Sequence, residues 1–181
     1  SPQSAAGVSF SPDKDQQFLY VTDYGNSHIA VLDRKTLTVL YQFGQRSDKP
    51  GDFQGLHQMA VDSKGNLFVV DTALGQLVKV DPRSGAKKVV AQLKPSLDNL
   101  AIDDKDRIFV SNMADNGIQE VDPATGQAKQ IIIGKLALPG GIGVTSENGK
   151  DTIHVADVFA YRTVDGATGE VTEKARMHAA G

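Results

Sequence analysis

The fold of this protein is decided by a single stretch, residues 58–85, which reads "QMAVDSKGNLFVVDTALGQLVKVDPRSG". It contains three short apolar runs rich in Val, Leu and Phe, and polar turns with Gly, Asn, Asp and Ser separate them. Short apolar runs bounded by such turn residues are typical of β-strands. Because no window of the chain shows a sustained helical period with caps, the sequence predicts a nearly all-β protein.

The same pattern occurs four times along the chain, and two landmarks measure its period. The residues that close the second strand are spaced by 48, 41 and 45 positions, and those that close the third strand by 48, 41 and 43. Two independent landmarks with nearly the same period indicate an internal repeat. The landmarks are Asp23, Asp71, Asn112 and Asp157 for the second strand, and Asp33, Asp81, Asp122 and Asp165 for the third.

Each repeat unit also carries a recurring turn and a fourth, more polar strand. The turn reads Asp81-Pro82-Arg83-Ser84-Gly85 in the second unit, with Gly where a left-handed conformation is needed. Four antiparallel strands per unit with a period in the low forties are the signature of a β-propeller blade. A sandwich of stacked hairpins is the alternative, but it does not require so regular a period. The sequence predicts one propeller domain over residues 1–181, with units at about 7–44, 57–93, 98–133 and 140–177 and fourth strands at 38–43, 87–93, 128–133 and 171–177.

Composition narrows the class of protein and its partners. The 181 residues are 40% hydrophobic and 23% charged, which is typical of one globular domain. A net charge of −3 with scattered basic residues argues against a nucleic-acid partner. No apolar run is long enough to span a membrane. The absence of cysteine excludes disulfides, thiol nucleophiles and thiolate metal sites.

The first two units resemble the NHL-repeat propellers. Taken together, "FLYVTDYGNSHIAVLDRKTLTVLYQFG" (18–44) and "KPGDFQGLHQMAVDSKGNLFVVDT" (49–72) resemble that family's Gly-x-Phe loop, Pro-His-x-Ile-Ala-Val-Asp-like strand, Gly-Asn turn and Val-x-Asp strand end. Leu56 stands where the family usually has proline, and His28 where it often has arginine. The later units, "LDNLAIDDKDRIFVSN" (97–112) and "LPGGIGVTSENGKDTIHVAD" (138–157), look more like the SMP-30-like six-bladed lactonase and calcium-binding propellers.

This resemblance raises a question of architecture, because these families have six blades or more. Four units leave three readings open: a piece of a longer propeller, a four-bladed ring, or two chains that complete one larger ring. We expect self-association if the chain stands alone, since an isolated arc would expose blade faces.

Candidate site residues lie where the loops of a propeller emerge on one face. One equivalent position, just before the inner strand, holds Ala6, His57, Asp98 and Gly140 in the four units. The loop at the end of the second strand supplies further polar and aromatic groups. The predicted ligand face comprises His57, Asp98, Asn99, Tyr24, Asn26, Asn112, Asp157 and Tyr161.

The resemblance also implies candidate metal ligands. In the amidating lyases of the NHL family, histidines at the position of His57 hold zinc, which normally needs three protein ligands. In SMP-30-like propellers, groups at the position of Asp98 and Asn99 surround a divalent ion, and oxygen ligands suit Ca²⁺ or Mg²⁺. That family's acidic ligand from the first blade would fall near Ala6, where it is absent. The repeated strand-closing Asp and Asn residues also have a structural interpretation, as caps of the turns that follow them.

Two functions follow from these patterns. We favour a binding module that takes a protein, peptide or small-molecule ligand on the predicted ligand face. The alternative is a metal-dependent propeller lyase or lactonase-like hydrolase, with Zn²⁺, Ca²⁺ or Mg²⁺ near the channel axis. In that alternative His57 and Asp98 act as metal ligands or general base. No catalytic residue is assigned from the sequence.

Overall fold

The computed structural model describes residues 4–47, 49 and 52–177, and its regular secondary structure in these ranges is entirely β-strand. The strands form four antiparallel sheets of four strands each. This confirms the predicted all-β class and the four-stranded blades. Within the described ranges, no helix is long and apolar enough to cross a membrane. Pro50 and Gly51, which begin the predicted Gly-x-Phe loop, lie outside the described residues.

Each blade is a meander in which sequential strands are neighbours. The first blade consists of β1 (Ala5–Phe10), β2 (Phe18–Asp23), β3 (His28–Asp33) and β4 (Val39–Phe43). The second consists of β5 (Leu56–Val61), β6 (Leu67–Asp71), β7 (Gln76–Val80) and β8 (Lys87–Gln92). The third consists of β9 (Leu97–Ile102), β10 (Ile108–Asn112), β11 (Gly117–Val121) and β12 (Ala128–Ile132). The fourth consists of β13 (Pro139–Glu147), β14 (Lys150–Asp157), β15 (Ala160–Asp165) and β16 (Val171–Arg176).

The turn between the third and fourth strands has the geometry predicted from the repeat. Gly85, Gly126 and Gly169 have φ values of +71°, +75° and +69°. Each donates its N–H to the carbonyl of the aspartate four residues earlier, at 2.8, 2.8 and 2.9 Å. The first blade forms the same turn without glycine, because Leu37 adopts φ +56° and donates to the Asp33 carbonyl at 2.8 Å.

The chain divides into two compact units, residues 1–97 and 98–181. In the first unit, the first and second blades pack face to face around a buried apolar cluster. Alternate residues of each strand point to this core, as the two-residue period of a β-strand requires. The cluster contains Tyr20, Ile29 and Val31 of the first blade, Leu56, Met59, Leu67, Val69, Val78 and Val80 of the second, and Phe53 from the segment that joins the two blades.

The second unit repeats this arrangement with the third and fourth blades. Its cluster contains Phe109, Ile118 and Ile132 of the third blade, Leu136 from the connecting segment, and Ile153, Val155 and Val164 of the fourth. Each unit therefore has a core of its own between two blades. That residues 1–181 form one domain stays a prediction.

An ion pair fixes the loop that connects the first two blades. Lys87 donates from Nζ to Oδ1 of Asp52 at 2.6 Å, and its ammonium lies 5.2 Å from the centroid of the Phe53 ring. Gln45 and Ser47 donate to Oδ2 of the same carboxylate, each at 2.9 Å. These hydrogen bonds, led by that of Lys87, lower the pKa of Asp52 from 3.8 to about 2.

We expect the stabilisation from Asp52 to be lost in acid. Because its pKa is lower in the folded chain than in the unfolded chain, its contribution is complete above the unfolded pKa and disappears as the pH falls through the folded one. Urea-unfolding midpoints of the wild type and of Asp52→Asn should converge between about pH 5 and about pH 2. A difference that stays constant over this range would contradict the assignment.

Candidate functional site

The predicted equivalent position lies at the same place in every inner strand. Ala6, His57, Asp98 and Gly140 are each the second residue of β1, β5, β9 and β13. In the first, second and fourth blades, the pairing with the neighbouring strand shifts register at this point, which marks a β-bulge. A bulge interrupts the ladder and redirects the local side chains. The inner strands therefore begin with an irregular segment whose geometry depends on other contacts.

A buried aspartate supplies those contacts in the second blade. Asp71 is fully buried at the end of β6. Its carboxylate accepts hydrogen bonds from the N–H groups of Gln54 at 2.6 Å and Gly55 at 3.0 Å, in the loop before β5. It also accepts from Ala73 at 3.1 Å and Leu74 at 2.9 Å, in the turn after β6. The Asp71 side chain thus joins the loop before β5, which leads to His57, to the turn after β6.

The other strand-closing residues form similar hydrogen bonds. Asp23 accepts from the N–H of Ser4 at 3.1 Å and from the side-chain amide of Asn26 at 2.7 Å. Asp157 accepts from Leu138 N–H at 2.7 Å and from Arg162 Nη1 at 2.5 Å. Asn112 accepts through Oδ1 from the N–H groups of Ala114 at 2.9 Å and Asp115 at 3.1 Å. The turn-capping role predicted for these residues is present for Asp23, Asp71 and Asn112. Asp157 differs, because its hydrogen-bond donors are the loop before β13 and the Arg162 side chain.

Two hydroxyl groups that the sequence analysis did not single out connect neighbouring inner strands. Thr22 donates from Oγ1 to the carbonyl oxygen of His57 at 2.6 Å, and this oxygen belongs to the next blade. Ser111, the equivalent residue of the third blade, donates from Oγ to the carbonyl oxygen of Gly140 at 3.0 Å. Both residues immediately precede the strand-closing Asp23 or Asn112, and this position is the signal that could have identified them.

In the first unit, the structure brings three predicted residues to one loop region. The rings of Tyr24 and His57 form an edge-to-face pair with centroids 6.2 Å apart and an interplanar angle of 85°. Tyr24 is 43% exposed, whereas His57 is half-buried. Asn26 donates through its N–H and its side-chain amide to Asp23, at 3.3 and 2.7 Å, and so fixes the loop that carries Tyr24.

In the second unit, three predicted residues belong to strands of the third blade. Asp98 and Asn99 are half-buried in β9, and the Asn99 N–H donates to Oγ of Ser111 at 3.0 Å. A Cβ atom built on Gly140 would lie 3.5 Å from Oδ2 of Asp98, so the glycine leaves space beside this carboxylate. Asn112 closes the adjacent strand and is 1% exposed.

Tyr161 differs from its predicted position. The turn after β14 contains only residues 158–159, so Tyr161 falls within β15 instead of in a loop. Its hydroxyl is 2.7 Å from Nδ1 of His154, and the two rings stack with centroids 6.1 Å apart. The sequence analysis placed it in the loop because the other blades have longer turns at this point. The Asp157 carboxylate accepts hydrogen bonds from the loop before β13 and from Arg162.

The described residues do not bring enough metal-binding side chains together for a complete site. Among the residues that the structure describes, no group of three or more His, Cys, Asp or Glu side chains could hold a metal ion. A zinc site normally needs three such ligands. His57 and Asp98 belong to different compact units, and their pairing around Zn²⁺, Ca²⁺ or Mg²⁺ stays a prediction.

The four-stranded antiparallel meanders, each closed by a buried Asp or Asn, define the β-propeller class of fold. The chain is similar in structure to hydrazine synthase of Kuenenia stuttgartiensis, with a TM-score of 0.75 and 16% identity over 96% of this chain and 50% of that one. It is also similar to a chain of a nidogen/laminin complex, with a TM-score of 0.75 and 14% identity over 93% of this chain and 64% of that one. Virginiamycin B lyase from Staphylococcus aureus has a TM-score of 0.59 and 12% identity over 94% of this chain and 69% of its own.

These similarities establish the fold alone. No family model matches the sequence. No curated protein matches it either. The chain spans 50% of the length of the hydrazine synthase chain and 64% of the length of the chain from the nidogen/laminin complex.

Replacement of Asp71 should be strongly destabilising. Asp71→Ala leaves four backbone N–H groups without their acceptor, and we expect a loss of about 3 kcal/mol or more in the free energy of unfolding. Asp71→Asn retains one acceptor oxygen, as Asn112 does in the third blade, and should have an intermediate effect. Chemical denaturation measures both.

Asp122→Ala is the matched control, because Asp122 caps an exposed turn through hydrogen bonds from Ala124 N–H and Thr125 Oγ1. Its replacement should cost less than about 1 kcal/mol. Equal destabilisation by Asp71→Ala and Asp122→Ala would refute the structural role of the buried carboxylate.

Proposed function

We propose that this chain is an NHL-type β-propeller segment that binds a protein or peptide through the loops at the start of its inner strands. The observation that carries the proposal is the edge-to-face pair of Tyr24 and His57. Tyrosine supplies a large contact area at a low conformational cost, and it is enriched in interfaces. An exposed tyrosine against an imidazole is therefore a suitable anchor for a partner.

The surroundings of this pair favour binding because they are held in place before a ligand arrives. Thr22 anchors the His57 backbone, and Asp23 with Asn26 fixes the loop of Tyr24. A recognition surface that is already ordered loses less conformational entropy on association. A small-molecule ligand would use Tyr24 and His57 of the first unit.

The alternative function is a metal-dependent lyase or lactonase-like hydrolase. It has His57 as an imidazole ligand and Asp98 as a carboxylate ligand or general base, and Asn99 follows Asp98 in β9. Known propellers of this shape include an enzyme, virginiamycin B lyase, as well as a chain from a nidogen/laminin complex. The binding function is preferred because it needs only groups that lie together in one compact unit.

Peptide selection tests the binding function. Peptides selected from a random library on the wild-type protein should lose about tenfold or more in affinity for Tyr24→Ala and for His57→Ala, because buried aromatic anchors contribute at least that much. Lys88→Ala, an exposed change on β8, is the control and should leave affinity unchanged.

Two results would overturn the proposal. One is selected peptides that bind Tyr24→Ala and His57→Ala as tightly as the wild type. The other is stoichiometric Zn²⁺, Ca²⁺ or Mg²⁺ in the purified protein, measured by mass spectrometry and lost in both His57→Ala and Asp98→Ala. The second result would favour the metal-dependent enzyme.

We further propose that the chain self-associates through the outer face of the first blade, with a second copy as the partner. This face carries the buried cluster Val21, Ala30 and Leu32. Val8 and Phe10 lie directly across from Val21 and Leu19 in the sheet and are 54% and 43% exposed. Residues directly opposite in an antiparallel pair share a face, so Val8 and Phe10 are the exposed apolar side chains beside this buried cluster.

The outer face of the fourth blade has the opposite character. Its surface includes Thr145, Thr152, His154 and Thr163, and His154 is hydrogen-bonded to Thr145 and Tyr161. A head-to-tail contact would cover the apolar face of one copy with this polar face. Contact between two first blades instead buries apolar surface on both sides, which is the favourable pairing.

A double change to Val8→Lys and Phe10→Lys should convert a dimer to a monomer, because it places four charges in the symmetric contact. Sedimentation velocity over a range of concentrations measures the result. Thr152→Lys with Thr163→Lys, on the fourth blade, is the matched control and should leave the dimer intact. A wild-type protein that is monomeric at every concentration would contradict the proposal, as would a dimer that only the fourth-blade changes disrupt.

A further inference from the structure

A groove of about 720 Å³ lies between the first and second blades, within the first compact unit. Three turns border it: the β1–β2 turn with Asp13, the β5–β6 turn with Lys64, and the β7–β8 turn with Arg83. Its aromatic lining comes from Phe18, Tyr20 and Tyr41. His57 lies at the start of β5 and Lys64 follows its end, so about 16 Å of strand separates the groove from His57. The groove is therefore distinct from the loops of the proposed function.

Tyr20 is the unusual group in this groove. It is only 4% exposed, yet no residue in the described part of the chain forms a hydrogen bond with its hydroxyl. Tyr41 differs, because its hydroxyl donates to the carbonyl oxygen of Pro82 at 2.8 Å. Burial raises the pKa of Tyr20, so its phenol stays protonated and available as a donor. A nearly buried donor that lines a groove is normally paired with a ligand or with water.

The two carboxylates that border the groove are occupied by their own turns. Asp13 accepts from the hydroxyl of Ser11 and from the N–H of Gln17 at 3.1 Å. Asp81 accepts from the N–H of Arg83 and from the hydroxyl of Ser84, both at 2.8 Å. These hydrogen bonds, with that from Ser11 largest for Asp13 and that from Arg83 largest for Asp81, lower the pKa of each carboxylate. Both aspartates are therefore ionised, and each accepts hydrogen bonds within its own turn.

The cationic side chains at the rim of the groove belong to Lys64 and Arg83. Neither Lys64 nor Arg83 forms a side-chain ion pair with another residue in the described ranges. With the Tyr20 hydroxyl, three donor groups line the groove that form no side-chain hydrogen bond or ion pair within the described ranges, although the charge of Arg83 helps to lower the pKa of Asp81. A surplus of donors favours a ligand group that carries acceptor oxygens, and a carboxylate supplies them with a charge that suits Lys64 and Arg83.

We propose that this groove binds a small molecule that combines a carboxylate with an apolar, ring-sized body. The carboxylate accepts from the Tyr20 hydroxyl and pairs with Lys64 and Arg83. The body packs on the rings of Phe18 and Tyr41. A hydrogen bond from a protonated phenol to an anionic oxygen is among the stronger polar contacts. The aromatic lining favours this class over a bare inorganic anion.

Benzoate is the probe, and it should be titrated into the whole protein at constant ionic strength while amide chemical shifts are followed. We expect saturable shifts at Gly65 and Arg83, on the groove rim, and none at His57. Tyr20→Phe keeps the ring and removes the hydroxyl, so it should weaken benzoate about tenfold. The double change Lys64→Gln with Arg83→Gln affects only exposed side chains and should weaken benzoate by a similar factor or more.

Matched controls decide the outcome. Benzamide has the same shape without the charge and should bind at least about tenfold more weakly than benzoate. Lys88→Gln, on the surface of β8, and His57→Ala should not change benzoate affinity. Equal binding of benzamide, equal binding of inorganic phosphate, or unchanged affinity in the double variant would overturn the proposal. Because His57→Ala separates the two sites, failure here and failure of the proposed peptide function are distinguishable.

Discussion

The structure depends on a buried acceptor at the end of the second strand of each blade. In the second blade this is Asp71, which collects four backbone N–H groups from two separate loops. Those loops have no regular ladder to satisfy them, and unpaired buried donors are costly. The carboxylate therefore determines where the chain enters the inner strand, and with it the position of His57. Loop geometry in this fold is a consequence of one side chain per blade.

A second constraint connects the blades. The hydroxyl next to the buried acceptor, Thr22 in the first blade and Ser111 in the third, donates to the inner-strand carbonyl of the next blade. This contact and the apolar clusters act together: the clusters hold the sheets face to face, and the hydroxyls set the register of neighbouring inner strands. The residues before the inner strands are thus placed by the preceding blade as well as by their own. A recognition surface built on them is ordered without a ligand.

The outer faces of the first and fourth blades, and the groove of the first unit, follow from the alternation of side chains along each strand. Tyr20 and Val31 point to the core of the first unit, whereas Val21 and Leu32 point to the opposite face. The first blade is apolar on both faces. The fourth blade has hydrogen-bonded polar groups such as His154 on its outer face instead. Where Tyr20 approaches the end of the core, apolar packing gives way to a groove, and no residue in the described part of the chain hydrogen-bonds to the phenol of Tyr20.

The sequence by itself determined the all-β class, the four-stranded repeat, the left-handed turn at Gly85 and the capping role of Asp71. All of these are local or periodic, so residue type and spacing are sufficient to specify them. Only the tertiary structure decided that Tyr161 lies on a sheet face, because the turn before it is shorter than in the other blades. It also decided that Thr22 bridges two blades and that Tyr20 lines a groove. These facts depend on which side chains from distant positions contact one another, and a local sequence pattern does not specify such contacts.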